Sequence, residues 1–344
     1  MTRFQICSVT LGMMLCACGV DPSAPVSTAS TEQAGMSPQG MSLQGMSLQG
    51  MSLQGMNMQG ILVAGATLGG SPLDNVRVER GELVAEQAGA TLRGTALVGA
   101  QLTAQVRNLA VSPPAVALIQ YRITAIQPEL AGYDPTGTGN TFLYTLEQWI
   151  DDAGVWQAAC PVDTDGRSVA IPLAAVWDEH GDRSESSAMF TLGCTTGVIA
   201  KCYRWGYRPW VTGYGDLTTM HWACTRMARA DYCGDGTPHT RNGTMINMWD
   251  TLPAPGPIQK RAGVLQSLGM LFEAGWNTGG AVCLSRARWL LDTGGLLAAL
   301  CPDRLVPPSL PLLGPTVCDT VTEVLAFNPN AQLFNQSYLN LTGP

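Results

Sequence analysis

Short apolar runs dominate the middle of the chain and recur at intervals of about ten residues. Between them lie clusters of aspartate and glycine at 151–154 and 163–166, which favour tight turns. Strands separated in this way are typical of an antiparallel sheet or sandwich. The predicted strands are 118–123, 142–149, 155–160, 169–173 and 189–192.

The pattern changes to helical spacing in the second half. Asp216 is a suitable N-cap and Gly234 a suitable terminator, so the sequence predicts one helix over 217–233. Apolar residues recur on it at three- and four-residue intervals and should face a core. These are Leu217, Met220, Cys224 and Met227. The expected fold class is therefore α+β and rich in β, with an antiparallel sheet or sandwich followed by a disulfide-stapled helical half.

A five-residue repeat precedes the strands. Residues 35–60 read GMSPQ, GMSLQ three times, GMNMQ and a final Gly, without a charge, and a second phase of apolar residues follows over 90–102. The spacing resembles that of pentapeptide repeats, which form a β-helix only when several turns stack. A flexible spacer is the alternative. We expect a tether over 18–60 and a β-rich region with pentapeptide-like repeats over 61–139.

The first 17 residues have the features of an export signal. Arg3 supplies the positive start, and 4–17 form an apolar run too short to span a bilayer. The run ends in LCAC, which resembles a lipobox whose cleavage leaves Cys18 to carry a diacylglycerol; ordinary secretion is the alternative. Acyl chains contribute about 0.8 kcal/mol per buried methylene, so we expect a lipid anchor to hold the protein at a membrane. Gly19 after the lipidated cysteine favours the outer membrane of a Gram-negative cell.

Export changes the interpretation of the cysteines. Of 11, Cys7 and Cys16 fall in the signal and Cys18 takes the lipid, which leaves eight. An even number in an oxidising compartment indicates four disulfides, whose connectivity the sequence leaves open. The chain has no C-x-x-C pair and its histidines are scattered, so we expect neither a metal site nor another cofactor. The eight are Cys160, Cys194, Cys202, Cys224, Cys233, Cys283, Cys301 and Cys318.

Helix geometry restricts the pairing. In one continuous helix Cys224 and Cys233 are half a turn out of phase and about 13 Å apart along the axis, beyond the roughly 7 Å limit between bonded Cα atoms. Each should therefore join a different segment to the helix. For the same reason Cys194 cannot pair with Cys202 if the chain between them is helical.

Charge narrows the possible partners. The chain has 19 basic and 26 acidic residues, for a net charge of −7. This balance argues against binding to nucleic acid or to an anionic membrane surface through basic patches. After the signal no uninterrupted apolar stretch reaches about 18 residues, so the lipid anchor is the expected membrane contact.

Several sequence blocks that contain cysteine and tryptophan follow one another in a recognisable order. The blocks are CTTGVIAKCYRWGYRPW (194–210), CTRMARADYCGDG (224–236) followed by HTRNGT, and FEAGW with AVC (272–283). Together they resemble the ADYC domain, a family of exported, mostly myxobacterial proteins with no assigned activity. The resemblance covers roughly 140–290. It implies a disulfide-rich exported domain, which we assign to 140–344, and it supplies no catalytic residues.

A binding module is the first functional hypothesis. The segment YRWGYRPW interleaves aromatic rings with arginines, a combination that can stack on a glycan or anchor a protein partner. The alternative is that these side chains fill a small core. The candidates are Arg204, Trp205, Tyr207, Arg208 and Trp210.

A hydrolase is the second hypothesis. It would use His221 or His239 as the base and Asp231 or Asp235 as the group that orients the base or holds a metal. No common nucleophile or phosphate-binding motif accompanies these residues. We therefore expect a structural, adhesion or binding module at the cell surface, with a glycan or a protein as partner.

Overall fold

The computed structural model describes residues 60–108, 115–129, 141–178, 180–240, 244–252, 269–288 and 318–338. The predicted signal peptide, Cys18, Cys301 and the GMSLQ repeats before Gly60 lie outside these residues.

The described chain contains three helices, which we number α1 to α3, and seventeen strands, β1 to β17. The helices are α1 Val198–Arg204, α2 Leu217–Arg229 and α3 Val321–Phe327. The strands are β1 Ile61–Leu68, β2 Ser71–Pro72, β3 Asp74–Glu79, β4 Glu82–Gln87, β5 Ala90–Arg93, β6 Gln101–Asn108, β7 Ala115–Pro128, β8 Phe142–Ile150, β9 Val155–Ala158, β10 Ala170–Leu173, β11 Val176–Trp177, β12 Arg183–Ser184, β13 Met189–Cys194, β14 Ile246–Asp250, β15 Leu271–Asn277, β16 Gly280–Leu284 and β17 Leu333–Ser337.

The largest sheet closes on itself. Its order is β10-β13-β1-β6-β7-β8-β9, with β2 beside β1, and β10 also pairs with β8 where Ala170 lies opposite Tyr144. Every pairing is antiparallel, and the five predicted strands correspond to β7 to β10 and β13. Alternate residues of β6, such as Leu102 and Ala104, point into a continuous apolar core. The β-rich α+β fold class is confirmed.

The five-residue spacing does not form a solenoid in 60–108. Arg80 and Gly81 connect β3 to β4, and Ala88 and Gly89 connect β4 to β5. All four residues have positive φ, which is the geometry of two-residue hairpin turns. The chain therefore reverses direction twice and β3, β4 and β5 pair antiparallel. The resemblance to pentapeptide repeats is thus wrong as a prediction of a β-helix here.

The second half packs helices on a smaller sheet. Strands β14, β17, β15 and β16 form an antiparallel sheet in that order, and α2 lies against it. Asp216 caps α2 as predicted, because its carboxylate accepts hydrogen bonds from the backbone N–H groups of Thr218 and Thr219. The predicted inner residues are all buried: Leu217, Met220, Cys224 and Met227.

Helix α2 ends four residues earlier than the sequence predicts. Ala230 adopts the left-handed conformation with φ of 52°, and its N–H bonds to the carbonyl of Met227. The next N–H, that of Asp231, donates to the carbonyl of Arg226 at 2.9 Å. This closure turns the chain out of the helix, so the predicted end at Cys233 is wrong.

All seven described cysteines are in disulfides. Cys160 pairs with Cys194, Cys202 with Cys224 and Cys283 with Cys318, at Cα separations of 5.5, 5.8 and 5.9 Å, and Cys233 is also disulfide-bonded. The two exclusions from helix geometry are confirmed: Cys224 and Cys233 have different partners, and so do Cys194 and Cys202. The bond between Cys202 and Cys224 joins α1 to α2.

Candidate functional site

A cavity of about 250 Å³ lies where the β3–β4 turn, the segment from β10 to β12 and the helices α1 and α2 meet. Four aromatic side chains contribute to its wall: Trp177, Tyr203, Trp210 and His221. Arg80, Arg183 and Glu185 add charged groups, and Leu173, Ala174 and Ala175 add apolar surface. We call this space the aromatic cavity.

The rings of the aromatic cavity hold one another in place. The centroid of Tyr203 lies 4.6 Å from that of Trp210 and 5.3 Å from that of His221, in both cases edge to face. The centroid of Trp177 lies 5.7 Å from that of His221, again edge to face. Such contacts are favourable beyond the area they bury, so the four rings form one rigid cluster.

The β3–β4 turn fixes the position of Trp210. Gly81 has a φ of +77°, and a Cβ added to it would overlap the Trp210 ring. Glycine therefore serves two purposes at this position: it adopts the turn conformation and it leaves room for the indole.

His221 is neutral in the folded protein. Its Nε2 lies 2.9 Å from the carbonyl oxygen of Ile199, which can only accept, so Nε2 carries the proton. Burial lowers the pKa of His221 to about 3. Its Nδ1 is consequently a hydrogen-bond acceptor, and no described residue donates to it.

Three further lining residues have buried polar atoms without a hydrogen-bond partner among the described residues. They are the Nε1 atoms of Trp177 and Trp210 and the Nε of Arg183, and all three are N–H donors. A buried donor left unpaired costs about 1–3 kcal/mol. With Nδ1 of His221, four buried polar atoms of the lining residues therefore have no described hydrogen-bond partner.

The sequence-predicted binding residues do not form an exposed surface. Arg204, Trp205, Tyr207 and Arg208 are buried, which matches the core alternative. Arg204 pairs with Glu129 at 2.8 Å, the Tyr207 hydroxyl donates to Asp250 at 3.0 Å, and Arg208 donates to Thr141 at 3.0 Å. The disulfide of Cys202 draws this segment against α2, which explains the burial. Trp210 alone among the five lines the aromatic cavity.

The proposed catalytic residues are separated. His221 lies in the aromatic cavity and bonds to a carbonyl, whereas Asp231 is buried in an ion pair of 2.6 Å with Arg226. Asp235 belongs to the exposed residues. Its partial burial acts to raise its pKa, but hydrogen bonds with Thr237 and the charge of His239 outweigh this effect, so the pKa is lowered. Neither His239 nor Asp235 lines the aromatic cavity.

A family model for the ADYC domain matches residues 94–290. This chain belongs to the ADYC domain family. The match begins at the short 3-10 helix Gly94–Leu97, just before β6 of the large sheet, and includes the cysteine-rich blocks. Every residue assigned to the aromatic cavity except Arg80 and Gly81 falls inside it. Comparison with curated proteins and with solved structures finds no match.

The motif that names the ADYC domain is a buried structural centre. The Tyr232 hydroxyl donates to Glu273 at 3.0 Å and accepts from the backbone N–H of Arg288 at 2.7 Å. Arg288 forms a two-point ion pair with Glu273 and donates to the carbonyl of Met227 in the last turn of α2. Both charged side chains are fully buried. The motif therefore fastens the end of α2 to the strand that carries Glu273.

Sequence reasoning missed most of the aromatic cavity. Trp177 and Arg183 come from strands of two residues each, and Arg80 from a turn, so no periodic pattern connects them. Glu273 is the one charged residue in the otherwise apolar strand β15, and a charge in such a position is a sequence signal for a buried ion pair.

Two further findings concern the described residues alone. They contain no helix long and apolar enough to cross a membrane. They also contain no group of three or more His, Cys, Asp or Glu side chains arranged to hold a metal ion.

Proposed function

We propose that this ADYC-domain protein is an exported, lipid-anchored binding module of the cell envelope, and that its ligand occupies the aromatic cavity. One observation carries the binding role: a cavity of about 250 Å³ is lined by packed aromatic rings and by the charged side chains of Arg80, Arg183 and Glu185. The bonded state of seven cysteines supports export, since disulfides persist in oxidising compartments. The apolar start and the LCAC sequence support the lipid anchor.

The chemistry of the cavity favours binding over catalysis. A histidine whose pKa is about 3 is a weak base at neutral pH, so His221 is poorly suited to accept a proton from a nucleophile. The Arg183 guanidinium is already paired with Glu185 at 2.6 Å. Preorganised rings, held by the disulfide between α1 and α2, suit recognition because little ordering is needed when a ligand enters.

Membrane anchorage is tested by expressing the full chain and a Cys18→Ala variant in a Gram-negative host. We expect the unaltered chain in the outer-membrane fraction with the mass of an acylated amino terminus, and the variant in the soluble periplasmic fraction. Recovery of both proteins in the same soluble fraction would contradict the anchor.

The binding role is tested by closing the cavity. Ala174 is exposed at the cavity wall, so Ala174→Tyr places a ring in the opening without disturbing the core. Ala153→Tyr, at another exposed alanine in the β8–β9 turn, is the matched control. On an array of bacterial envelope glycans and proteins we expect the unaltered chain and the control to bind the same ligand, and Ala174→Tyr to lose it. Equal binding by all three would place the ligand elsewhere.

A hydrolase with His239 as the base is the alternative function. It predicts that His239→Ala abolishes hydrolysis of an ester or glycoside substrate while Ala174→Tyr leaves it unchanged, because His239 does not line the cavity.

A further inference from the structure

We propose that one end of the closed sheet docks on a zwitterionic lipid bilayer, so that the folded part lies against the membrane to which the chain is anchored. The docking rests on the lipid anchor of the proposed function and adds to it the face that meets the bilayer. Three features support it: an exposed apolar rim, a pair of tryptophans at the same end, and the place where the anchored chain enters the sheet.

The apolar rim is a row of residues paired directly across β13, β1, β6 and β7. The row consists of Met189, Leu62, Gln105 and Leu118. Directly opposite residues share a face of a sheet, and Val116 lies on the same face two residues from Leu118. Leu118 is 63% exposed and Val116 69%, and Leu62 and Met189 are exposed as well. Grouped exposed apolar side chains of this kind mark a surface that meets a protein or a membrane.

The β8–β9 hairpin adds two tryptophans at the same end. Because β7 and β8 are antiparallel, the end of β8 lies beside the start of β7. Trp149 and Trp156 are paired there, half-buried, with ring centroids 5.5 Å apart. Arg122 lies over the Trp156 ring at 4.6 Å and alternates along β7 with Leu118, so the rings share the face of the rim. Tryptophan is enriched where a bilayer meets water, because its ring is apolar and its N–H is polar.

The charges on these strands favour a zwitterionic surface. Arg122 is the one basic residue of β7, β8 and β9, and it is paired with Glu147. Asp151 and Asp152 are exposed in the β8–β9 turn. Anionic lipids attract clusters of lysine and arginine, and these three strands contain no such cluster. Apolar contact is therefore the expected basis of docking.

The anchored chain enters the closed sheet beside the rim. Strand β1 begins at Ile61, the residue next to Leu62. The anchor of the proposed function is Cys18, about 40 residues before this point. Even as a random coil, a chain of that length extends only about 35 Å on average. Tethering at this distance gives the rim a high effective concentration at the bilayer, so a weak affinity is enough for docking.

The test measures tryptophan fluorescence of the acylated full chain in vesicles of phosphatidylcholine with brominated acyl chains. Bromine quenches tryptophans that reach the bilayer. We expect quenching that Trp149→Phe combined with Trp156→Phe removes. Val116→Ser combined with Leu118→Ser should lower the equilibrium constant for docking, taken from the quenched fraction, by about tenfold or more, because both side chains then lose their apolar contact with lipid.

The matched control removes a valine and a leucine of similar exposure elsewhere. Val162 is 67% exposed and Leu271 is 53% exposed, and neither belongs to the rim. Val162→Ser combined with Leu271→Ser should leave the quenching unchanged. Equal quenching in the two double variants, or an anchored protein that is not quenched, would overturn the docking and leave the anchor intact.

Two further outcomes separate the docking from the anchor. If the mature chain has the mass of an unacylated protein, the anchor is wrong, and flotation of that chain with the same vesicles decides the docking. Flotation that Val116→Ser with Leu118→Ser abolishes and the control retains would support the docking, and no flotation would overturn it. If the Cys18→Ala chain sediments as a dimer that the rim variant dissociates, the rim contacts a second copy instead of lipid, which overturns the docking.

Discussion

The closed sheet and the helical half, meaning α2 with the sheet β14–β17 and the residues packed on them, contain ion pairs of very different exposure. On β7 and β8 of the closed sheet, Arg122 and Glu147 pair at the surface with about a third of each side chain exposed. In the helical half, Arg288 and Glu273 are paired with no exposure at all, and Arg226–Asp231 is nearly as buried. Removing one charge should therefore have very different effects on the two kinds of pair.

Glu273→Gln should produce the largest difference. It leaves the buried guanidinium of Arg288 without its counter-charge, which typically costs about 3–5 kcal/mol. The matched change in the sheet, Glu147→Gln opposite Arg122, should cost less than about 1 kcal/mol. The free energy of unfolding from urea titration measures both. Similar losses for the two variants would show that the comparison is wrong.

Loss of the Cys202–Cys224 disulfide comes next. Its loop of 22 residues predicts a loss of about 3 kcal/mol for Cys202→Ala with Cys224→Ala, measured by thermal unfolding. The Cys160–Cys194 disulfide in the sheet closes a loop of 34 residues, so replacing both of its cysteines with alanine should cost a similar amount of stability. Ligand binding should distinguish the two disulfides. Only the first pair anchors Tyr203 beside the cavity, so only its removal should weaken binding; weakening by both would contradict the assignment.

The helical half should also produce a pH dependence, because it contains His221. His221 has a folded pKa of about 3 against an ordinary value of 6.5, so the unfolded chain binds the extra proton as the pH falls. Its contribution to stability is complete above about pH 6.5 and is lost as the pH falls toward 3, by about 2 kcal/mol between pH 7 and 5. His221→Gln, which can still donate to the Ile199 carbonyl, should lack this component. Parallel stability curves for both proteins would contradict the buried neutral histidine.

The smallest expected difference compares two turns of the same sheet. Gly81 and Gly89 have φ values of +77° and +81°, but only at Gly81 does an added Cβ meet a neighbour, Trp210. Gly89→Ala should cost about 1 kcal/mol from backbone strain, and Gly81→Ala about 1 kcal/mol more from displacement of the indole. Chemical denaturation measures both losses. Ligand binding should weaken only for Gly81→Ala. Equal losses of stability and binding in the two variants would show that the β3–β4 turn does not shape the cavity.

Local signals explain what the sequence predicts well. Strands β7 to β10 and β13 follow from short apolar runs between turns, and the start of α2 follows from Asp216. Helix phase correctly separates the partners of Cys224 and Cys233.

The remaining features depend on contacts between distant segments. Ala230 ends α2 in a left-handed conformation that alanine rarely adopts, so no residue type announces the end of the helix. The aromatic cavity combines a turn, two very short strands and two helices, and the pairing of Glu273 with Arg288 requires β15 to lie against the end of α2. Neither arrangement has a periodic signature.

The most direct test of the cavity as the binding site is a nitrogen-15 spectrum of the tryptophan side chains. The chain has nine tryptophans, and Trp177→Phe and Trp210→Phe assign the two indole N–H signals that matter. On addition of a ligand identified on the array we predict that these two signals shift in a saturable manner while those of Trp149 and Trp156, which pack against each other in the large sheet, stay in place. Unmoved Trp177 and Trp210 signals with a bound ligand would contradict the account.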